Sequence, residues 1–220
     1  MCGRYTLTVT IDDLHALLPG FEIRAEPLPR YNVAPTQLMP VAFNDERAVA
    51  PARWGLIPRW AKDAAIGSRM INARAETLAE KPSFRDCFKK RRCLVPATGF
   101  YEWRKEEGKT RKTPFLIRAP EGRPFTVAGL WDAWHSPEGV IRSFTIITTS
   151  PNELVAPIHD RMPVIVPASD REAWLSADTR EPAELASLLR PYPGELEILE
   201  VSTLVNSPAN ESPDCLHAAP

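Results

Sequence analysis

Cys2, in the opening run Met1-Cys2-Gly3-Arg4-Tyr5, would become the terminal residue once the initiator methionine is removed. Its thiol and the freed α-amine would then share one carbon skeleton. An α-amine titrates near ~8 and a thiol near ~8.5, so each supplies a reactive fraction at neutral pH. Together they can do what neither does alone: the amine condenses with an aldehyde to an imine, and the thiol closes on the imine carbon to form a thiazolidine ring. The plain alternative is a cysteine on a frayed terminus.

Two further residues suit a site that moves protons. Glu102, in Gly99-Phe100-Tyr101-Glu102-Trp103, is a carboxylate within an aromatic strand. Covered by the fold, it would have its pKa raised toward neutrality by desolvation; exposed, it would only pair with Arg104 or Lys105. His159, in Ile158-His159-Asp160-Arg161-Met162-Pro163, lies in a segment stiffened by Pro157 and Pro163. Its imidazole titrates near ~6.5, and its alternative is a structural histidine bonded to backbone or to Asp160. Asn72, Arg74 and Glu76 alternate, which in extended chain sets all three on one face, either a solvated surface or the polar floor of a cleft. Trp54, Trp60 and Trp103 are either core or platforms for unpaired bases, each stack worth about 1–3 kcal/mol. His15, His135 and His217 show no metal-ligand spacing, and no metal or cofactor is expected.

These residues need a frame to hold them. Residues 2–9 read as a strand, and Thr10 caps a short helix carrying Ile11, Leu14, Leu17 and Leu18. After a proline-rich stretch, 38–43 and 48–57 read as strands, and 82–90 as a helix with Pro82 in its first turn. From 93 to 149 the pattern is β, with strands near 93–96, 99–105, 113–118, 125–133 and 141–149, broken at Gly108, Gly122 and Gly139. Ser169-Asp170-Arg171-Glu172 has the form of a capping box, Pro182 opens another helix, and a last strand covers 197–202. The polar tail at 207–220 is expected to be disordered. The whole is one α+β domain over 1–206, dominated by antiparallel strands with peripheral helices.

The chain's 220 residues suit a single domain. Nothing resembles a membrane span or a secretory signal, and Cys2, Cys87, Cys93 and Cys215 include no CxxC pair, so a reducing, cytoplasmic setting is expected. A net charge of −1 hides an asymmetry: residues 1–112 carry 20 Lys and Arg against 13 Asp and Glu, whereas 113–220 carry 7 against 15. A neutral molecule can thus present one basic face. Lys89-Lys90-Arg91-Arg92 and the group Arg104, Lys105, Lys109, Arg111 and Lys112 stand out, although each alone is more often solvated surface.

Taken in order, Met1-Cys2-Gly3-Arg4-Tyr5, Tyr31-Asn32-Val33-Ala34-Pro35, Trp54-Gly55-Leu56-Ile57-Pro58, Asn72-Ala73-Arg74-Ala75-Glu76-Thr77, Arg92-Cys93-Leu94-Val95-Pro96-Ala97, Gly99-Phe100-Tyr101-Glu102-Trp103, Ala128-Gly129-Leu130-Trp131 and Ile158-His159-Asp160-Arg161-Met162-Pro163-Val164 resemble the SRAP (SOS response-associated peptidase) family over about residues 2–206. The resemblance implies a barrel-like β core crossed by a basic channel for single-stranded DNA. It also implies a covalent thiazolidine between the N-terminal cysteine and the ring-opened sugar of an abasic site, shielding the lesion. By motif, the nucleophile falls on Cys2, the amide steadying the sugar on Asn72, the main proton carrier on Glu102 and the assisting histidine on His159. Channel contacts fall on Arg4, Asn32, Pro35, Trp54, Arg74, Thr148, Arg161 and Pro163. Trp60 and Trp103 are further candidates for stacking on DNA. Arg59-Trp60 departs from the bacterial pattern of two tryptophans at the strand-parting wedge. The protein is expected to act as a monomer, associated with the nucleoid when bound to DNA.

Rival readings remain at this level. An N-terminal-nucleophile amidohydrolase can also begin Met-Cys-Gly, its α-amine serving as base, but the chain lacks the Asn-Gly dipeptide of the glutaminases of that class. A cysteine peptidase in the limited sense of removing its own Met1 is a second, and a non-covalent single-strand-binding protein a third.

Overall fold

The computed structural model describes residues 2–108, 110–176 and 181–218. Met1, whose removal the expected thiazolidine chemistry would need, and Lys109 of the basic group lie outside them, as do Ala219 and Pro220. The described strands are β1 (Tyr5–Leu7), β2 (Glu22–Ile23), β3 (Arg30–Val33), β4 (Leu38–Phe43), β5 (Ala48–Trp54), β6 (Asn72–Arg74), β7 (Arg92–Ala97), β8 (Gly99–Arg104), β9 (Thr113–Arg118), β10 (Phe125–Ser136), β11 (Gly139–Thr149), β12 (Met162–Pro163), β13 (Ile165–Val166) and β14 (Glu197–Glu200). The helices α1 (Ile11–Leu17), α2 (Arg85–Lys90), α3 (Ala168–Leu175) and α4 (Pro182–Ser187) are short.

The larger sheet runs β12-β11-β10-β7-β4-β5-β2, and a further parallel pairing of β11 with β5, Phe144 opposite Trp54, closes the middle five strands into a barrel. A second sheet, β14-β9-β8-β1-β3, packs beside it. The mostly antiparallel, barrel-like α+β architecture matches the sequence expectation. Its core contains Val41, Phe43, Trp54, Val95, Phe144 and Ile146, together with Cys2, Tyr5 and Phe100 from the second sheet.

Local sequence explains much of the framing. Thr10 caps α1 as expected: its hydroxyl accepts from Asp13 N–H while the Asp13 carboxylate accepts from Thr10 N–H at 2.8 Å. The second capping box does not form. Helix α3 begins at Ala168 after Pro167, which makes no side-chain cap, and Glu172 instead accepts two hydrogen bonds from Arg47 at 2.9 Å. With the helix starting at Ala168, Ser169 lies inside its first turn and not at the N-cap that a capping box needs.

Half of the basic run at 89–92 is structural: Arg91 Nε lies 3.2 Å from the buried Asp132 carboxylate, and Arg92 is spent inside the fold. Arg92 is completely buried, and its guanidinium donates to Phe88 and Lys89 carbonyls at the end of α2 and to Trp174 and Ser176 carbonyls at the end of α3. One cation thereby satisfies orphan carbonyls of two helix termini. Arg92→Ala is expected to cost about 3 kcal/mol, because several buried acceptors lose charged donors at once. Urea unfolding would measure it; a midpoint equal to wild type would show that water replaces the guanidinium.

The polar C-terminal segment differs from the expectation of disorder. Within the described residues to Ala218 it forms a 3-10 turn at Pro213–Leu216, buries Cys215, and bridges Ala218 to Val201. Its polar groups are spent on the body of the protein, principally on Asn32 and Arg30. No helix among the described residues is long and apolar enough to cross a membrane.

Candidate active site

The N-terminus is fixed by β1. Tyr5 pairs with Phe100 and Thr6 with Gly99, and Tyr101 N–H donates to the Arg4 carbonyl at 3.0 Å, so the continuing register sets Gly3 opposite Glu102. The terminus is therefore tethered, and Cys2 is only 1% exposed. Burial, reinforced by the nearby Glu102 charge, pushes its thiol well above the usual range. The thiol is held protonated at neutral pH, unlike the partly ionised group expected from the sequence.

Asn72 reaches this terminus from the barrel. At Gly55 the chain leaves β5 with φ of 115°, and a Cβ there would lie 2.6 Å from the Gly67 carbonyl, so only glycine fits the turn. The chain then loops back as β6, again parallel to β11, with Asn72 opposite Ile146 and Arg74 opposite Thr148. Trp54 steadies the return by donating from Nε1 to the Ile71 carbonyl at 2.9 Å. Asn72 Nδ2 donates to the Cys2 carbonyl at 2.8 Å, joining the two sheets at Cys2. Its Oδ1 is buried without a hydrogen-bond partner among the described residues.

Glu102, on β8, is 2% exposed, and burial pushes its carboxyl up to about 7. The Asp160 charge raises it further, and Lys112 opposes. His159 Nε2 stands 3.7 Å from Glu102 Oε2, in ion-pair range but long for a hydrogen bond. On its other edge, His159 Nδ1 lies 3.0 Å from both the Arg161 N–H and an Asp160 carboxylate oxygen. The first contact wants a lone pair on Nδ1 and the second a proton, so the ring has a partner in either charge state. Burial keeps its pKa below the ordinary imidazole value. The four residues Cys2, Asn72, Glu102 and His159, far apart in sequence, thus form one cluster where the sheets meet.

The outer candidates divide. Arg74 is exposed beside Thr148, which is buried between β6 and β12 opposite Pro163. Arg161 donates twice to Glu76, at 2.7 and 2.9 Å, and also to the Thr148 carbonyl. The expected alternation of Asn72, Arg74 and Glu76 stops early, because a 3-10 turn at Ala75–Thr77 follows β6 and swings Glu76 to that arginine. Pro35 is half-buried, and Trp60 is 58% exposed over a cavity of about 530 Å³ that it lines with Lys62 and Arg69. None of the four clustered residues lines this cavity.

Four candidates are committed elsewhere. Trp54 is fully buried, stacked on Phe144 at 6.3 Å between centroids and edge-on to Tyr5, so its ring offers no face to a base. Asn32 is also fully buried: Oδ1 accepts from Arg4 at 2.7 Å and Nδ2 donates to the Val205, Ser207 and Asn210 carbonyls. Arg4 donates onward to Val205, and Trp103 Nε1 donates to Asn206 Oδ1 at 2.7 Å. Arg59, noted in the sequence without a role, grips the buried Asp132 with its guanidinium and N–H, beside Trp60. Its departure from the two-tryptophan pattern was the available signal.

Comparison with known proteins accords with this geometry. The family described as SOS response associated peptidase (SRAP) matches residues 1–208. The chain is 46% identical over 224 residues to the abasic site processing protein YoqW of Bacillus subtilis (strain 168), covering 99% of this chain and 100% of that one. It is 32% identical over 268 residues to the abasic site processing protein HMCES of Pongo abelii, covering 98% of this chain and 75% of that one. A crystal structure of a protein from Bacteroides thetaiotaomicron, 29% identical, superposes with a TM-score of 0.86 over 99% of this chain and all of that one.

Proposed function

The chain belongs to the SOS response associated peptidase (SRAP) family, and from that premise we propose that it processes abasic sites in single-stranded DNA by forming a covalent thiazolidine through Cys2. The carrying observation is the cluster itself: Asn72 holds the Cys2 carbonyl at 2.8 Å while Glu102 and His159 stand 3.7 Å apart beside it.

The mechanism begins with removal of Met1, which frees the α-amine. The ring-opened abasic sugar presents an aldehyde; the amine adds to its carbon and water leaves, giving an imine. The neutral thiol then adds sulfur to the imine carbon, and its proton ends on the nitrogen. One aldehyde and one aminothiol thus become one thiazolidine and one water. Glu102, with a carboxyl near neutrality, takes and returns the protons of these steps, and His159 serves the sugar's ring-oxygen side. The partnerless Asn72 Oδ1 is an acceptor for an amine N–H or a sugar hydroxyl.

Exposed Arg74 and Lys112 and the face of Trp60 supply phosphate contacts and a stacking platform that read no sequence. A baseless nucleotide has little to unstack, so presenting its bare sugar to the cluster costs little. A denaturing gel comparing intact with abasic single-stranded oligonucleotides tests the reading. A shifted band with abasic DNA alone is expected. Salt-sensitive binding to both, with no band surviving denaturation, would make the protein a non-covalent binder instead.

A further inference from the structure

We infer that the C-terminal strap, residues 203–218, is a positioning element for the Cys2–Glu102 pair, with Glu211 and Tyr101 as its working anchors. The inference rests on the reaction proposed above.

Its contacts converge on the flanks of the two key residues. Two positions from Cys2, Arg4 donates to the Val205 carbonyl at 2.8 Å and to the Asn206 carbonyl at 3.3 Å. On either side of Glu102, the Tyr101 hydroxyl reaches the Cys215 carbonyl at 3.3 Å and the Tyr31 carbonyl at 2.8 Å, and Trp103 donates to Asn206. Side chains alternate along a strand, so Tyr101 and Trp103 project from the face of β8 opposite Glu102. The strap therefore grips the back of the strand whose front carries the proton carrier.

Glu211 closes the clamp on β3. Its carboxylate accepts from the Tyr31 and Asn32 N–H groups and from Arg30 at 2.9 and 3.1 Å. β3 is the outermost strand of its sheet and pairs only with β1, so its free backbone edge would otherwise face solvent. Buried Asn32 then spends its whole amide on three strap carbonyls and Arg4. The first residues of the chain are thus held between β8 and a β3 that the strap fixes. Catalytic geometry tolerates little slack: a misplacement of about 1 Å can cost roughly a hundredfold in rate.

The test uses the full, Met1-processed chain with Glu211→Ala and Tyr101→Phe. For each, the maximal single-turnover adduct rate and the half-saturating concentration of abasic oligonucleotide are measured, and iodoacetamide labelling of Cys2 without DNA is followed by mass spectrometry. We expect the maximal rate to fall about 10- to 100-fold, half-saturation to stay within error, and Cys2 to alkylate faster. Wild-type rates and labelling in both variants would overturn the inference, as would a raised half-saturation at unchanged maximal rate, which would make the strap a DNA contact. If Glu211→Ala does not fold, Tyr101→Phe decides the matter alone. Failure of the wild-type protein itself to form an adduct would sink the proposed reaction, while the labelling would still report on the strap.

Discussion

Cys2→Ser, processed to expose its α-amine, is expected to yield an abasic-DNA adduct only when borohydride is present. The amine still condenses with the aldehyde, but a hydroxyl does not close the ring as sulfur does, so the imine hydrolyses on denaturation. Cys2→Ala should likewise lose the stable band entirely while keeping the trappable one. In the proposed reaction, burial and the Glu102 charge, which raise the Cys2 thiol, favour its entry as a neutral group once the imine carbon is available over a first attack as a thiolate.

The same logic makes a blocked terminus as damaging as a lost sulfur. A tag placed before Cys2, or verified retention of Met1, removes the condensing amine and should abolish both bands with the thiol intact. Gels with and without reductant separate the two nucleophiles. A denaturation-resistant complex from Cys2→Ala without reductant would refute the thiazolidine, and normal crosslinking by a blocked protein would refute the amine's role.

How much of this was visible in sequence depended on whether the deciding contact was local. Strands β4 and β9 coincide with the expected 38–43 and 113–118, because six residues bounded by turns carry their own pattern. β6, β12 and β13 have two or three residues, too few for a period, and exist because β10 and β11 offer edges to pair with. The aromatic strand around Glu102 left it open between a covered and an exposed carboxyl, and the packing of the second sheet decides for burial. The fate of Trp54 was not: Tyr5 and Phe144, distant in sequence, enclose it. The C-terminal segment misled for a related reason. Its composition promises little apolar burial, but its order comes from hydrogen bonds to a buried Asn32, which composition does not count.

Glu102→Gln is expected to slow adduct formation at pH 7 by about 10²- to 10⁴-fold, the range for removing a positioned acid–base group, with DNA affinity close to wild type. The wild-type rate should climb as pH rises to about 7, where the buried carboxyl ionises, and the variant should keep only the limb of the α-amine near ~8. His159, Asp160, Lys112 and the Cys2 thiol all act electrostatically around this carboxyl, so Asp160→Asn should shift the limb downward by removing a charge that raises it. Stability gives an independent sign. Folding raises the Glu102 pKa above its unfolded value near ~4.3, so the folded state binds more protons between there and about 7, and wild-type stability declines as pH rises through that window. Glutamine carries no such cost. The variant should therefore gain on the order of 4 kcal/mol over wild type at pH 8 and nothing at pH 4. Slower chemistry in a more stable protein is the combination a buried proton carrier requires; equal rates across pH, or a variant less stable at pH 8, would remove Glu102 from that role.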